Sequence, residues 1–185
     1  MPWSYSGVGL KALGDSLRDT GQYDAVMAKT QPATQDALAR PSVSKWHDGR
    51  IILDLTTAMD QVLGAEAVER VYYQHVRRSI GPLMMPFVKV VLLLSGRDPS
   101  TVFSRFEGLM GSMVRGVGSV WEQTSPLTGV LKLRHDEVVQ LSSFRAWQGV
   151  TRYTFEICEV EGQMRPRLDE FNARDLVWDV SWRRL

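Results

Sequence analysis

A chain of 185 residues, 44% hydrophobic and 23% charged, has an ordinary globular composition and the length of one domain, residues 1–185. Its 22 basic and 21 acidic residues leave a formal charge of +1, which argues against a dedicated nucleic-acid binder. The lone Cys158 excludes an intrachain disulfide and a cysteine-rich zinc site, and folding at this length buries roughly 70% of the surface without such staples.

Met1-Pro2-Trp3-Ser4-Tyr5 has neither the basic start nor the long apolar core of a secretory signal, so a cytoplasmic protein is expected. The first forty residues carry short helical patterns (Leu10, Leu13, Leu17; Tyr23, Val26, Met27; Ala37, Leu38) punctuated by Gly14, Gly21, Pro32 and Pro41. Two or three short helices are expected there, then a turn at Trp46-His47-Asp48-Gly49. Ile52, Leu55, Met59, Val62 and Leu63 recur at helical spacing up to Gly64, a natural terminator. A helix from about Ala65 to Ile80 follows, with Val68, Val71, Tyr72, His75 and Ser79 along one side, and Gly81-Pro82 is expected to stop it. Met84 to Leu94 is apolar on most sides, as in a helix at the centre of a protein or against a partner. The longest apolar run, Leu83 to Leu94, is broken by Pro86 and Lys89 and falls short of the about 20 residues a membrane span needs, so no stable membrane insertion is expected.

Asp98-Pro99 suits an N-cap and first helical residue, and Val102, Phe103, Phe106, Leu109, Met110, Met113, Val114 and Val117 extend an apolar stripe to Val117. Gly108, Gly111, Gly116 and Gly118 weaken that helix by about 1 kcal/mol each. Two strands, 129–133 and 137–141, are expected to flank a turn at Arg134-His135-Asp136. A helix from Ser142 or Ser143 to about Glu159 then buries Phe144, Trp147, Thr151, Thr154 and Cys158, with Gly162 ending it. Strands at 165–171 and 176–182 complete the chain. In the last, Leu176, Trp178, Val180 and Trp182 alternate with Val177, Asp179 and Ser181, the period of a half-buried strand. The expected fold is α+β: an N-terminal helical bundle (about 1–118), then a four-stranded antiparallel sheet (about 119–185) in strand-strand-helix-strand-strand order.

No catalytic constellation emerges. His47, His75 and His135 form no metal-ligand pair at helical spacing, and no nucleophile elbow, dinucleotide fingerprint or phosphate loop occurs. A non-enzymatic protein with no metal and no cofactor is therefore expected. Cys158 reads as a buried small residue, since Glu156, Glu159 and Glu161 would raise its thiol pKa. The exception is His75, which faces inward and as a neutral imidazole could hold haem iron; otherwise it is a core histidine making one hydrogen bond. Met84, Met85, Phe87, Phe106, Met110 and Met113 are the candidate lining of an apolar pocket between helices and sheet, with Trp147 closing it from the sheet side.

Helices followed by a strand-strand-helix-strand-strand unit resemble the superfamily of haem nitric-oxide-binding domains, TRAPP trafficking subunits and vinyl-4-reductase-type ligand-binding domains. Gly9-Leu10, Arg78-Ser79-Ile80-Gly81-Pro82, Asp98-Pro99 and the Trp-ending strand Val177 to Trp182 more closely resemble an uncharacterised domain family rich in myxobacterial paralogues. The resemblance implies the fold, dimerisation or an apolar ligand between helices and sheet. Haem-binding members use a histidine on the helix before the sheet, whereas the helix expected from Asp98 to Val117 has none, and the zinc cysteines of some relatives are absent. Together these features imply a cytoplasmic ligand-sensing or protein-interaction module in bacterial regulation, acting as a homodimer or with a protein partner. The alternatives are a haem or gas sensor using His75 and an adaptor that docks a partner helix.

Overall fold

A computed structural model describes residues 3–185, apart from the side chains of residues 80–84, 87, 89, 91, 94 and 95. The first strand, β1 (Ser4–Ser6), runs into α1 (Gly7–Arg18) through Ser6, whose hydroxyl accepts the Gly9 N–H at 3.2 Å. Helices α2 (Tyr23–Met27) and α3 (Pro32–Ala39) follow at the expected places, the second with proline in its first turn. Trp46–Asp48 forms strand β2 rather than part of a turn, because it pairs antiparallel with β1.

Helix α4 (Arg50–Leu63) ends at Gly64, whose φ of 79° suits a residue without a side chain. Helix α5 then runs from Ala65 to Ser95, through Gly81-Pro82. The expected stop fails because burial continues on both sides of it. Val68, Val71, Tyr72 and Val76 are buried before the proline, and Val88 and Leu92 after it. Together they offset the roughly 3 kcal/mol a proline costs inside a helix.

The expected helix from Asp98 to Val117 is much shorter. Asp98 caps α6 (Pro99–Ser104) through the Ser100 N–H, a break at Arg105 leads to α7 (Phe106–Met110), and strand begins at β3 (Val114–Arg115). Strands β4 (Val117–Ser125) and β5 (Thr128–His135) form a hairpin turning at Pro126-Leu127, so His135 ends a strand instead of sitting in a turn. Residues 137–141 form no strand; the Val139 N–H donates to the Ala173 carbonyl across a loop.

Helix α8 (Ser142–Cys158) is where the sequence places it, but Glu159 ends it with φ 56°, and Gly162 lies within β6 (Val160–Pro166). A 3-10 turn at Leu168–Glu170 leads to β7 (Asp175–Arg184). One antiparallel sheet has the order β4-β5-β7-β6, and a small second sheet, β2-β1-β3, stands within the part expected to be all helix. Leu131 on β5 is flanked by Trp121 and Trp178, and Leu131, Leu133, Leu176, Trp178 and Val180 form a buried face. Helix α8 is packed on α5 and on β6, with the Phe144 ring edge-on to Trp178 at 5.0 Å. Gly149 is required at the α5–α8 crossing, since a side chain there would begin 2.2 Å from the Glu69 carbonyl oxygen.

Candidate functional site

The site grows from three short elements that meet over the sheet: β1 with the residue before it, α7, and the start of α8. Trp3 is 5% exposed and lies flat on Gly49, whose Cβ, if present, would stand 2.2 Å from the indole. The Gly49 N–H donates to the Trp3 carbonyl, so the backbone holds the ring in place. Trp3 meets His135 edge-to-face with ring centroids 5.3 Å apart. Trp147, one turn into α8, donates its indole N–H to His135 Nε2 at 3.1 Å.

These aromatic residues, with Tyr5, Ile52, Leu53, Thr56, Tyr72, Met110 and Val114, line an internal chamber of about 30 Å³. A much larger cleft of about 430 Å³ opens between α7 and the sheet, lined by Phe106, Met110, Val114, Val117, Leu133 and Trp147 with glycines 108, 111 and 116. Met110, Val114 and Trp147 belong to both walls. Met110 also borders an apolar void of about 40 Å³ beneath α8. A flexible thioether at that junction can move without the cost of shifting a branched side chain. The cleft's rim is pinned across α7 and β4, where the Ser119 N–H donates to a Glu107 carboxylate oxygen and the Glu107 N–H to the Ser119 hydroxyl.

Three of the seven candidate lining residues, Phe106, Met110 and Trp147, come together in the cleft. Met113 is buried, but its side chain lines neither cavity, and its carbonyl accepts the Ser6 N–H. Met85 packs against both apolar clusters and lines neither cavity. Met84 and Phe87 lie outside the described side chains. Trp3, Tyr72 and His135 are the residues that sequence reasoning misses. Trp3 precedes every recognisable element, and His135 looks like a turn residue until the β4–β5 register is known.

His75 is fully buried and lines neither cavity. Its Nε2 lies 2.5 Å from the Tyr5 hydroxyl and its Nδ1 3.2 Å from the Ser79 hydroxyl, which donates to the His75 carbonyl. That chain assigns the proton to Nδ1 and the Nε2 lone pair to the Tyr5 O–H. Burial pushes the His75 pKa down to about 3, so the ring is neutral, and burial raises Tyr5 well above its ordinary value. His135 is driven down to about 4 by burial, against the pull of Asp136 and Asp175. Since His135 Nε2 accepts from Trp147, its Nδ1 carries the proton. That N–H and the Trp3 indole N–H are buried with no hydrogen-bond partner. Burial, with a contribution from Asp98, also pushes the Cys158 thiol up to about 12, which leaves it unreactive; the neighbouring glutamates are not the cause.

Neither a protein-family model nor a curated protein sequence matches the chain. Solved structures do match it in fold. An Fe(II) unliganded H-NOX protein mutant from K. algicida superposes with a TM-score of 0.70 at 10% identity, covering 96% of each chain. A structure from work on haem distortion in the H-NOX family gives 0.61 at 10% identity, over 96% of this chain and 95% of the other. An oxygen-binding H-NOX domain related to soluble guanylate cyclases, in its oxygen complex, gives 0.59 at 10% identity over 93% and 92%.

These neighbours correct the expectation of no cofactor, because structures with this fold along nearly their whole length are described by their haem or its Fe(II) state. Neither buried histidine, as packed, fits that group. The lone pair of His75 is taken by Tyr5 and that of His135 by Trp147, no histidine lines the larger cleft, and the chamber holds about 30 Å³. Ligand pockets for molecules of drug size span about 300–1,000 Å³. What the chain shares with the H-NOX structures is the fold.

Proposed function

We propose that this chain is a sensor domain for a small ligand, taken up between α7 and the sheet, that acts by binding and not by catalysis. One observation carries it: a cleft of about 430 Å³ and an internal chamber share Met110, Val114 and Trp147 as wall residues, and Met110 is unbranched. A ligand entering the cleft would push on Met110 and Trp147, and Trp147 is tied to the sheet through His135. Binding would thus be felt in both layers. The H-NOX likeness supports a ligand- or gas-binding role, and we set that role in bacterial regulation. No described helix is long and apolar enough to cross a membrane.

A haem cofactor is supported by the H-NOX neighbours and opposed by the packing of the two buried histidines. Absorption spectroscopy on protein produced with a haem precursor decides it. A Soret band abolished by His75→Ala would establish haem at that residue, in place of a free ligand in the cleft. Native mass spectrometry of freshly isolated protein tests the main proposal. The expected result is a bound small molecule displaced when Met110→Trp fills the cleft in a folded variant. Bare protein that also takes up no apolar probe in titration overturns it.

A further inference from the structure

The chamber has a chemical polarity that the cleft lacks. Among the described residues, five buried side-chain polar atoms have no hydrogen-bond partner: Trp3 Nε1, Ser16 Oγ, His135 Nδ1, Ser142 Oγ and Trp178 Nε1. Only Trp3 and His135 among their owners line the chamber. Both are donors in the tautomer that Trp147 imposes, both are at least 95% buried, and they share one edge-to-face contact. A buried donor left unpaired costs about 1–3 kcal/mol, so two on adjoining wall residues of one small chamber, neither open to water as packed, call for an acceptor that a small shift of the walls would admit.

The walls narrow the class of that acceptor. No carboxylate lines the chamber, so no cation is called for, and no lysine or arginine lines it to balance a buried anion. The chamber's tyrosine hydroxyls are already engaged, Tyr5 with His75 and Tyr72 with Thr56, which in turn reaches the Ile52 carbonyl, and Ser143 adds one further hydroxyl to the wall. A neutral acceptor remains. A carbonyl oxygen has two lone pairs and can take two N–H donors at once. The cleft beyond Met110 would hold an apolar remainder, the usual division of labour in ligand sites, with much apolar wall and few orienting polar groups.

We infer that the chamber is the head-group site of an apolar molecule carrying a neutral carbonyl-type acceptor, oriented by the Trp3 and His135 N–H groups with its chain in the α7 cleft. This rests on the proposed ligand-sensing role and adds the ligand's chemistry to it. The probes are 2-octanone, carbon-13 labelled at its carbonyl, and n-octane, which has the same apolar character without the acceptor. Isothermal titration should show the ketone binding about tenfold more tightly than the alkane, the difference one or two hydrogen bonds supply.

The bound ketone's carbonyl stretch should move to lower frequency than in alkane solvent. Trp3→Phe should remove most of the ketone preference and part of the frequency shift while leaving octane binding unchanged. Equal affinities with no carbonyl shift in the unmodified protein would overturn the head-group site and leave the ligand-sensing proposal standing. If neither probe binds, both fall. The infrared measurement needs no variant, so a poorly folding substitution cannot rescue the inference.

Discussion

The two buried histidines make the most instructive comparison in this molecule. His75, on α5, is closed on itself: one nitrogen receives the Tyr5 O–H, the other donates to Ser79, and neither the chamber nor the cleft is lined by it. His135, at the end of β5, has the same neutral charge state but half the satisfaction, with Trp147 on one nitrogen and nothing on the other. The helical layer therefore uses its histidine as a structural strut, tying α5 to β1. The sheet layer leaves its histidine with a hydrogen bond to give. An inward histidine on a helix is conspicuous in the sequence, which favours the first, whereas it is the second that belongs to the chamber wall.

The largest expected effect tests what the two have in common. Both are held well below the pKa near 6.5 they regain on unfolding, at about 3 and about 4. Between pH 6.5 and 4 the unfolded chain takes up both protons and the folded chain does not. Their stabilisation is therefore complete above pH 6.5 and is lost as pH falls toward the folded pKa values. Each histidine contributes about 1.4 kcal/mol per pH unit to that slope, so by pH 5 the pair should cost about 4 kcal/mol. Urea titrations at pH 7 and pH 5 measure it. A stability that is flat across this range would show that at least one ring takes up its proton without unfolding, and would end the description of both as buried neutral groups.

Much of the frame behind this comparison was legible from residues alone, and the gaps have physical causes. The alternation of Leu176, Trp178, Val180 and Trp182 gave the central strand, and the apolar spacing from Phe144 to Cys158 gave α8, because both bury one face against a large core. Strand β4 was invisible because it is a sheet edge. Ser119, Glu122, Gln123, Thr124 and Ser125 show no apolar alternation, and Val120 is 63% exposed. Missing β4 moved the hairpin to the wrong side of β5 and turned His135 into a turn residue. The candidate site was legible only where helical spacing carries it, at Phe106, Met110 and Trp147. Trp3 and Tyr5 reach it through β1, whose three residues carry no period and take their place by pairing with β2 and β3.

A middle-sized effect separates the two histidines. Tyr5→Phe removes only the hydroxyl that donates to His75, leaving a buried lone pair with no donor at 2.5 Å. The expected loss is about 2 kcal/mol in chemical denaturation, within the range for a broken buried bond that strands its partner. It should be accompanied by a change in the His75 ring resonances and none in those of His135. A loss below about 0.5 kcal/mol would make the Tyr5–His75 contact incidental and remove the contrast between strut and site.

The smallest effect is spectroscopic and bears on the open half of His135 through its neighbour. Among the six tryptophans, the indole N–H groups of four fall into two classes by partner. Trp147 donates to His135 at 3.1 Å and Trp121 to the Ser100 hydroxyl at 2.8 Å, whereas those of Trp3 and Trp178 are buried without a partner. A hydrogen-bonded indole proton resonates downfield of an unpaired buried one. Trp121 and Trp147 should therefore lie downfield and Trp3, assigned by Trp3→Phe, well upfield. Trp178 supplies the internal control, since it lines neither the chamber nor the cleft. On adding 2-octanone the Trp3 proton should move toward the Trp121 position while Trp178 stays still. If Trp3 already resonates with the paired group in the ligand-free protein, its donor is satisfied and the chamber has no demand for an acceptor. If Trp3 and Trp178 move together, the ketone is perturbing the core as a whole, and the asymmetry between the layers would no longer locate a site.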